Sequence, residues 1–102
     1  MKLQRDLFLG FVKIHILYHA SQEEVSGVWL STELKRHGYA ISPGTLYPTL
    51  RKLEKDSYLT SSGRVEQGHR RIYYRTTARG KKALEKARHQ AHELIDEIEE
   101  WE

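Results

Sequence analysis

The chain has 102 residues, 38% of them hydrophobic and 30% charged, with a net charge of +3 and no cysteine. That is one domain's worth of sequence, too apolar for full disorder, and without thiols it has neither a disulfide framework nor a thiolate zinc site. The charge is unevenly placed: residues 1–77 hold 12 Lys/Arg against 7 Asp/Glu, whereas residues 78–102 hold 5 against 7 and end on Glu97, Glu99, Glu100 and Glu102. A basic body with an acidic tail points to a polyanionic partner for the body.

The first element, Lys2 to Ala20, has a helical pattern. Leu7, Phe11, Ile14 and Tyr18 recur at 4-3-4 spacing, and Phe8, Val12 and Ile16 form a second stripe beside them. So wide an apolar arc faces the domain's own core on one side and invites a partner chain on the other. The apolar run from Leu7 to Tyr18 is interrupted by Gly10, Lys13 and His15, which argues against a membrane span. With Asp6 early and no small-residue cleavage site after the run, a signal peptide is not expected either, and the expected compartment is the cytoplasm.

Ser21 to Ser26 reads as a polar break, with Ser26 capping a second helix in which Trp29, Leu30 and Leu34 point inward. Lys35, Arg36 and His37 suit the C-terminal end of that helix, and Gly38 is its left-handed terminator. After a short extended piece, Tyr39 to Ile41, Ser42-Pro43 supplies a capping hydroxyl and a proline at the first helical position. The third helix then runs from Pro43 to Asp56. Leu46, Leu50 and Leu53 form its apolar face, and Thr45, Pro48, Thr49 and Lys52 lie opposite, flanked by Tyr47, Arg51 and Lys55. Pro48 removes one backbone bond and predicts a slight bend.

From Tyr58 the pattern turns to strands. Tyr58 to Val65 and Arg70 to Thr77 predict a hairpin with Gln67-Gly68-His69 at its tip. Ile72 and Tyr74 alternate with Arg71, Tyr73 and Arg75, so one face packs and the other is solvated. In the last segment, Ala78 to Trp101, Leu84, Ala87, Ala91, Leu94, Ile98 and Trp101 form a heptad seam that Ile95 widens. Such a strip requires another helix, from a second copy or from the first element.

Three helices, a hairpin and a long final helix predict a mainly α (α+β) fold. Its form is a winged helix-turn-helix over residues 1–77, followed by a C-terminal helix over residues 78–102. In that arrangement the third helix enters the major groove of double-stranded DNA. Residues 42–75 carry seven Lys/Arg against three Asp/Glu, which concentrates positive charge on that helix and the hairpin. The candidate DNA-binding residues are Ser42, Thr45, Tyr47, Pro48, Thr49, Arg51, Lys52, Lys55, His69, Arg70, Arg71 and Tyr73. An alternative with the same architecture is an interaction module that binds protein through this face.

The stretch G-T-L-Y-P-T-L-R-K-L-E-K-D-S-Y-L from Gly44 to Leu59, followed by G-H-R-R-I-Y-Y-R-T-T-A-R-G from Gly68 to Gly80, resembles the PadR family of transcriptional regulators. The resemblance extends loosely over nearly the whole chain and matches the compact subgroup with a short final helix. It implies a winged helix-turn-helix homodimer, usually a repressor, joined through the final helix and the partner's first helix. The implied dimerisation residues are Leu7, Phe11, Leu84, Ala87, Ala91, Leu94, Ile95, Ile98 and Trp101. A small-molecule effector would bind in a cavity between protomers. Ser57 stands where the family usually has glycine, and Ala91 stands where multidrug-sensing members carry a drug-stacking tryptophan.

No Ser/His/Asp order, glycine-rich phosphate loop or paired buried carboxylate suggests an enzyme, and no cofactor is expected. His15 and His19 lie i,i+4 on the first helix, and His89 and His92 lie i,i+3 on the last. Both spacings suit a metal, but the sequence offers no third and fourth ligand for either pair, so no metal site is expected.

Overall fold

The computed structural model describes residues 2–100, so Trp101 of the expected seam lies outside the described residues. The elements are α1 (Lys2–Gln22), β1 (Val25–Ser26), α2 (Gly27–Arg36), α3 (Pro43–Lys55), β2 (Leu59–Glu66), β3 (His69–Thr76) and α4 (Ala78–Glu100). The strands form one antiparallel sheet in the order β1-β3-β2. The helix, helix, helix, hairpin order is the winged-helix order, and the final helix follows it.

The core is where α1, α2 and α3 meet the base of the sheet. Val12, Ile16, Leu17 and Ala20 come from α1, Leu30 and Leu34 from α2, and Leu46, Leu50 and Leu53 from α3, with Val25, Leu59 and Tyr74 closing it. Each large apolar side chain removed from water contributes about 1.5–3 kcal/mol before entropy is counted. Thr76, the one buried polar side chain of the core among the described residues, donates to the Leu17 carbonyl at 2.7 Å and ties β3 to α1.

Several local expectations hold. The Ser26 hydroxyl accepts from the Trp29 amide at 3.0 Å and caps α2, Gly38 has a φ of 90°, and α3 continues through Pro48 to Lys55.

Others are corrected. The break before α2 contains a strand: α1 runs on to Gln22, and Val25 and Ser26 pair with Tyr74 and Tyr73. Trp29 is not inward but 41% exposed, its ring edge set against His19. Ser42 occupies the N-cap of α3, but its hydroxyl donates to Thr45 Oγ1 instead of capping a backbone amide. The hairpin tip is the two-residue turn Gln67-Gly68, both with positive φ, as the strand twist favours. His69 therefore belongs to β3, opposite Glu66. Ile72 lies beyond the core and is exposed, so only the base of the hairpin packs.

The junction between hairpin and α4 explains the end of the quoted motif. Thr77 Oγ1 accepts from the Gly80 amide at 3.0 Å and donates to the Ser57 carbonyl at 2.6 Å, capping α4 while anchoring the turn after α3. Gly80 is buried there: a β-carbon on it would stand 2.3 Å from the Tyr58 carbonyl oxygen and 2.6 Å from Thr76 Cγ2. Ser57 has a φ of 66°, the left-handed region that L side chains disfavour. We expect Gly80→Ala to destabilise the fold by about 1–3 kcal/mol. Ser57→Gly should stabilise it by about 0.5–1 kcal/mol, both read as shifts in thermal unfolding midpoint.

Candidate nucleic-acid interface

Because Leu46, Leu50 and Leu53 are buried, α3 turns Pro48, Arg51, Lys52 and Lys55 to solvent, with Thr45, Tyr47 and Thr49 half-buried beside them. Thr49 spends its hydroxyl hydrogen on the Thr45 carbonyl at 2.7 Å. Tyr47 leans on the start of α2, where a β-carbon at Gly27 would stand 2.7 Å from its ring. Glu54 fixes the helix to the hairpin by accepting from the Ser61 hydroxyl at 2.5 Å.

The hairpin has two chemically different faces. On one, Arg70 lies across Gly63 of the facing strand, and Arg70, Ile72 and Tyr47 line a cleft of about 400 Å³ that also takes in His69 and Arg71. The structure thus brings Tyr47 of α3 together with His69, Arg70 and Arg71 of the wing. On the other face the arginines are committed to acids. Glu24 accepts from Arg64 at 2.7 Å and lies 3.4 Å from Arg75, and the Arg64 guanidinium sits 4.3 Å from the centre of the Tyr73 ring. The Tyr73 hydroxyl donates to Glu66 at 2.5 Å, which raises the pKa of the phenol, and Arg71 approaches the same carboxylate at 3.9 Å.

Arg51, Lys52, Lys55 and Arg70 have no carboxylate partner among the described residues, whereas Arg64, Arg71 and Arg75 do. Of the residues singled out in the sequence, Tyr73 and Arg71 therefore already share Glu66, while the Ser42 and Thr49 hydroxyls donate within the first turns of α3.

A second surface is apolar. On α1, Leu7, Phe11 and Tyr18 are exposed, and on α4 so are Leu94, Ile95 and Ile98, with Ala91 beside them. Leu84 and Ala87 are half-buried where α4 packs on α1. Between the two helices an apolar cleft of about 470 Å³ is lined by Phe11, Ile14, His15, Tyr18 and Leu84.

Residues 16–86 match the model of the transcriptional regulator PadR-like family. The chain belongs to that family. It is 52% identical over 94 residues to the transcriptional regulator Rv3488 of Mycobacterium tuberculosis, covering 92% of this chain and 88% of that protein. Among solved structures it resembles a PadR family regulator from Eggerthella lenta, with a TM-score of 0.83, 32% identity and coverage of 95% and 86% of the two chains. A PadR-like transcription factor from Bacteroides fragilis shares the fold at a TM-score of 0.86 over the whole of both chains, with 23% identity. This PadR-like protein is thus a transcriptional regulator with the winged-helix fold, and no described helix is long and apolar enough to cross a membrane.

One cluster escaped the sequence reading. His19 of α1, Glu33 of α2 and His37 at the C-cap of α2 converge, because the fold packs α2 against α1. Burial, with His37 nearby, lowers the pKa of His15, and burial lowers that of His19.

The Glu24 tie gives a test by pH. The hydrogen bond from Arg64 holds the Glu24 carboxyl below its ordinary value. Its stabilisation is therefore complete above the unfolded carboxylate range and is lost as pH falls through the depressed folded value. The stability gap between the parent and Glu24→Gln, measured by urea unfolding, should be largest at neutral pH and close on acidification.

Proposed function

We propose that this PadR-like regulator is a sequence-specific DNA-binding repressor that acts as a C2 homodimer on a pseudo-palindromic operator. The reading rests chiefly on one observation. Arg51, Lys52, Lys55 and Arg70 stand on the outward face of α3 and the adjoining wing with no acid to neutralise them among the described residues. Cations left unpaired next to one another repel, and a phosphate backbone relieves that repulsion while releasing counterions. In each protomer α3 enters a major groove, with Arg51 and Lys52 reaching base edges and Ser42, Thr45, Tyr47, Pro48, Thr49 and Lys55 positioning the helix. Arg70, assisted by His69 and Arg71, lies on the flanking backbone.

Residues 1–77 form the DNA-binding unit in this proposal, and α4 forms the dimerisation element. The exposed stripe of Leu94, Ile95 and Ile98 supports that role, because it carries apolar surface that a second copy would cover. Twofold pairing sets the two reading helices about 34 Å apart, one turn of duplex. Release follows when a small apolar molecule in the cleft between α1 and α4 favours a dimer geometry in which the helices no longer match that spacing.

Affinity for an operator duplex, measured by fluorescence anisotropy, should fall by about 10³–10⁵ between 50 and 200 mM salt. Arg70→Ala should weaken all duplexes alike, whereas Arg51→Ala should also lose about 1–3 kcal/mol of discrimination between operator and mismatched sites. An affinity that does not move with salt would overturn the proposal. The dimer is tested separately: Leu94→Glu with Ile98→Glu should give a monomer in sedimentation velocity, still folded by circular dichroism, that no longer holds the operator.

A further inference from the structure

Away from the DNA-facing side, the C-terminal half of α1 meets the end of α2, and two i,i+4 pairs come together there: His15 and His19 from α1, and Glu33 of α2 with His37 at its C-cap. The ligand atoms of His19, Glu33 and His37 all lie within 4.8 Å of one another. Residues one turn apart project side by side from a helix face, which sets Glu33 and the C-cap residue His37 together against His19. The His15 ring borders the same space, its centroid 5.3 Å from that of His37 and 5.0 Å from that of Tyr39.

The ligand set is chemically specific. Two imidazoles and a carboxylate, with no thiolate, suit a divalent ion of the zinc, cobalt and nickel group better than calcium or magnesium, which take oxygen ligands. Arg36 bonds to Glu33 Oε1 from Nε at 2.7 Å and occupies part of the carboxylate. Its side chain is 70% exposed, so it can swing into solvent at little cost.

We propose that His19, Glu33 and His37 form a binding site for a zinc-class divalent ion, with two imidazole nitrogens and one carboxylate oxygen as protein ligands and a fourth position facing His15. Three ligands with a fourth position open is the coordination number of exchangeable zinc sites rather than closed structural ones. A bound ion pins α1 to the C-terminal end of α2, from which the chain turns into α3. The site stands independently of the DNA reading, because none of its residues belongs to that face.

The test is calorimetric titration of the tag-free, chelator-stripped full chain with zinc chloride. It should show one ion per chain, and His19→Ala and His37→Ala should each weaken binding by about tenfold or more. His89→Ala with His92→Ala, on α4, should leave it unchanged. Arg36→Ala should tighten binding by freeing Glu33, a gain that a misfolded variant cannot mimic. Trp29, whose ring centre is 5.4 Å from that of His19, gives a second readout, its fluorescence quenched by cobalt(II) in the parent and not in His19→Ala. No heat with zinc, or binding and quenching that survive both histidine substitutions, would overturn the proposal.

Discussion

The packing of one face of α3 determines most of what this molecule can do. Leu46, Leu50 and Leu53 are held against α1 and α2, and with them buried the helix has no freedom to rotate about its axis. Turning it by even one residue would bring a charged side chain into the core and a leucine into water, at a cost of several kcal/mol. The outward set is therefore a consequence of the inward set. Glu54 adds a second restraint by bonding to Ser61, so the wing is indexed to the same helix.

Charge is then distributed by local partnership. The hairpin carries four arginines, but Glu24 engages Arg64 and Arg75, and Glu66 stands 3.9 Å from Arg71. Those pairs and the stacking of Arg64 on Tyr73 stiffen a two-stranded ribbon that has little core of its own. Arg70 remains with its charge uncompensated among the described residues. Its guanidinium lies over Gly63, in space that a side chain on that residue would fill.

Much of this was legible in the chain itself. The helices follow from apolar periodicity and from Ser26, Gly38 and Pro43, and the wing from two alternating segments around Gln67-Gly68-His69, of which His69 proved to belong to the strand. The misses share a cause. β1 is two residues long and exists only through its pairing with Tyr73 and Tyr74, so no local pattern marks it. Trp29 and Ile72 are apolar at positions that periodicity assigns inward, but each lies past the edge of a core that ends at Leu30 and Tyr74. Ser42 has the right residue type for a cap, yet its hydroxyl takes a different partner. The convergence of His19 with Glu33 and His37 depends on the packing of two helices, which spacing within either one cannot reveal. The opposite holds at Gly80 and Thr77, where the motif was visible but its purpose, a cap and a close backbone approach under Tyr58, required three dimensions.

The clamp at the root of α4 has a mechanical consequence. Thr77 and Gly80 lock the first turn of that helix to the hairpin and to the turn after α3, while its outer half extends away from the body and gives the molecule its 56 Å long axis. A helix of 23 residues is a rod of about 34 Å. Fixed at one end and levered at the other, it converts a tilt of about 10° into a tip displacement of about 6 Å, from the rise per residue. That exceeds the step of about 3.4 Å between neighbouring base pairs, so in the proposed dimer the helix is the handle of a gauge whose two jaws would go out of adjustment with a very small turn.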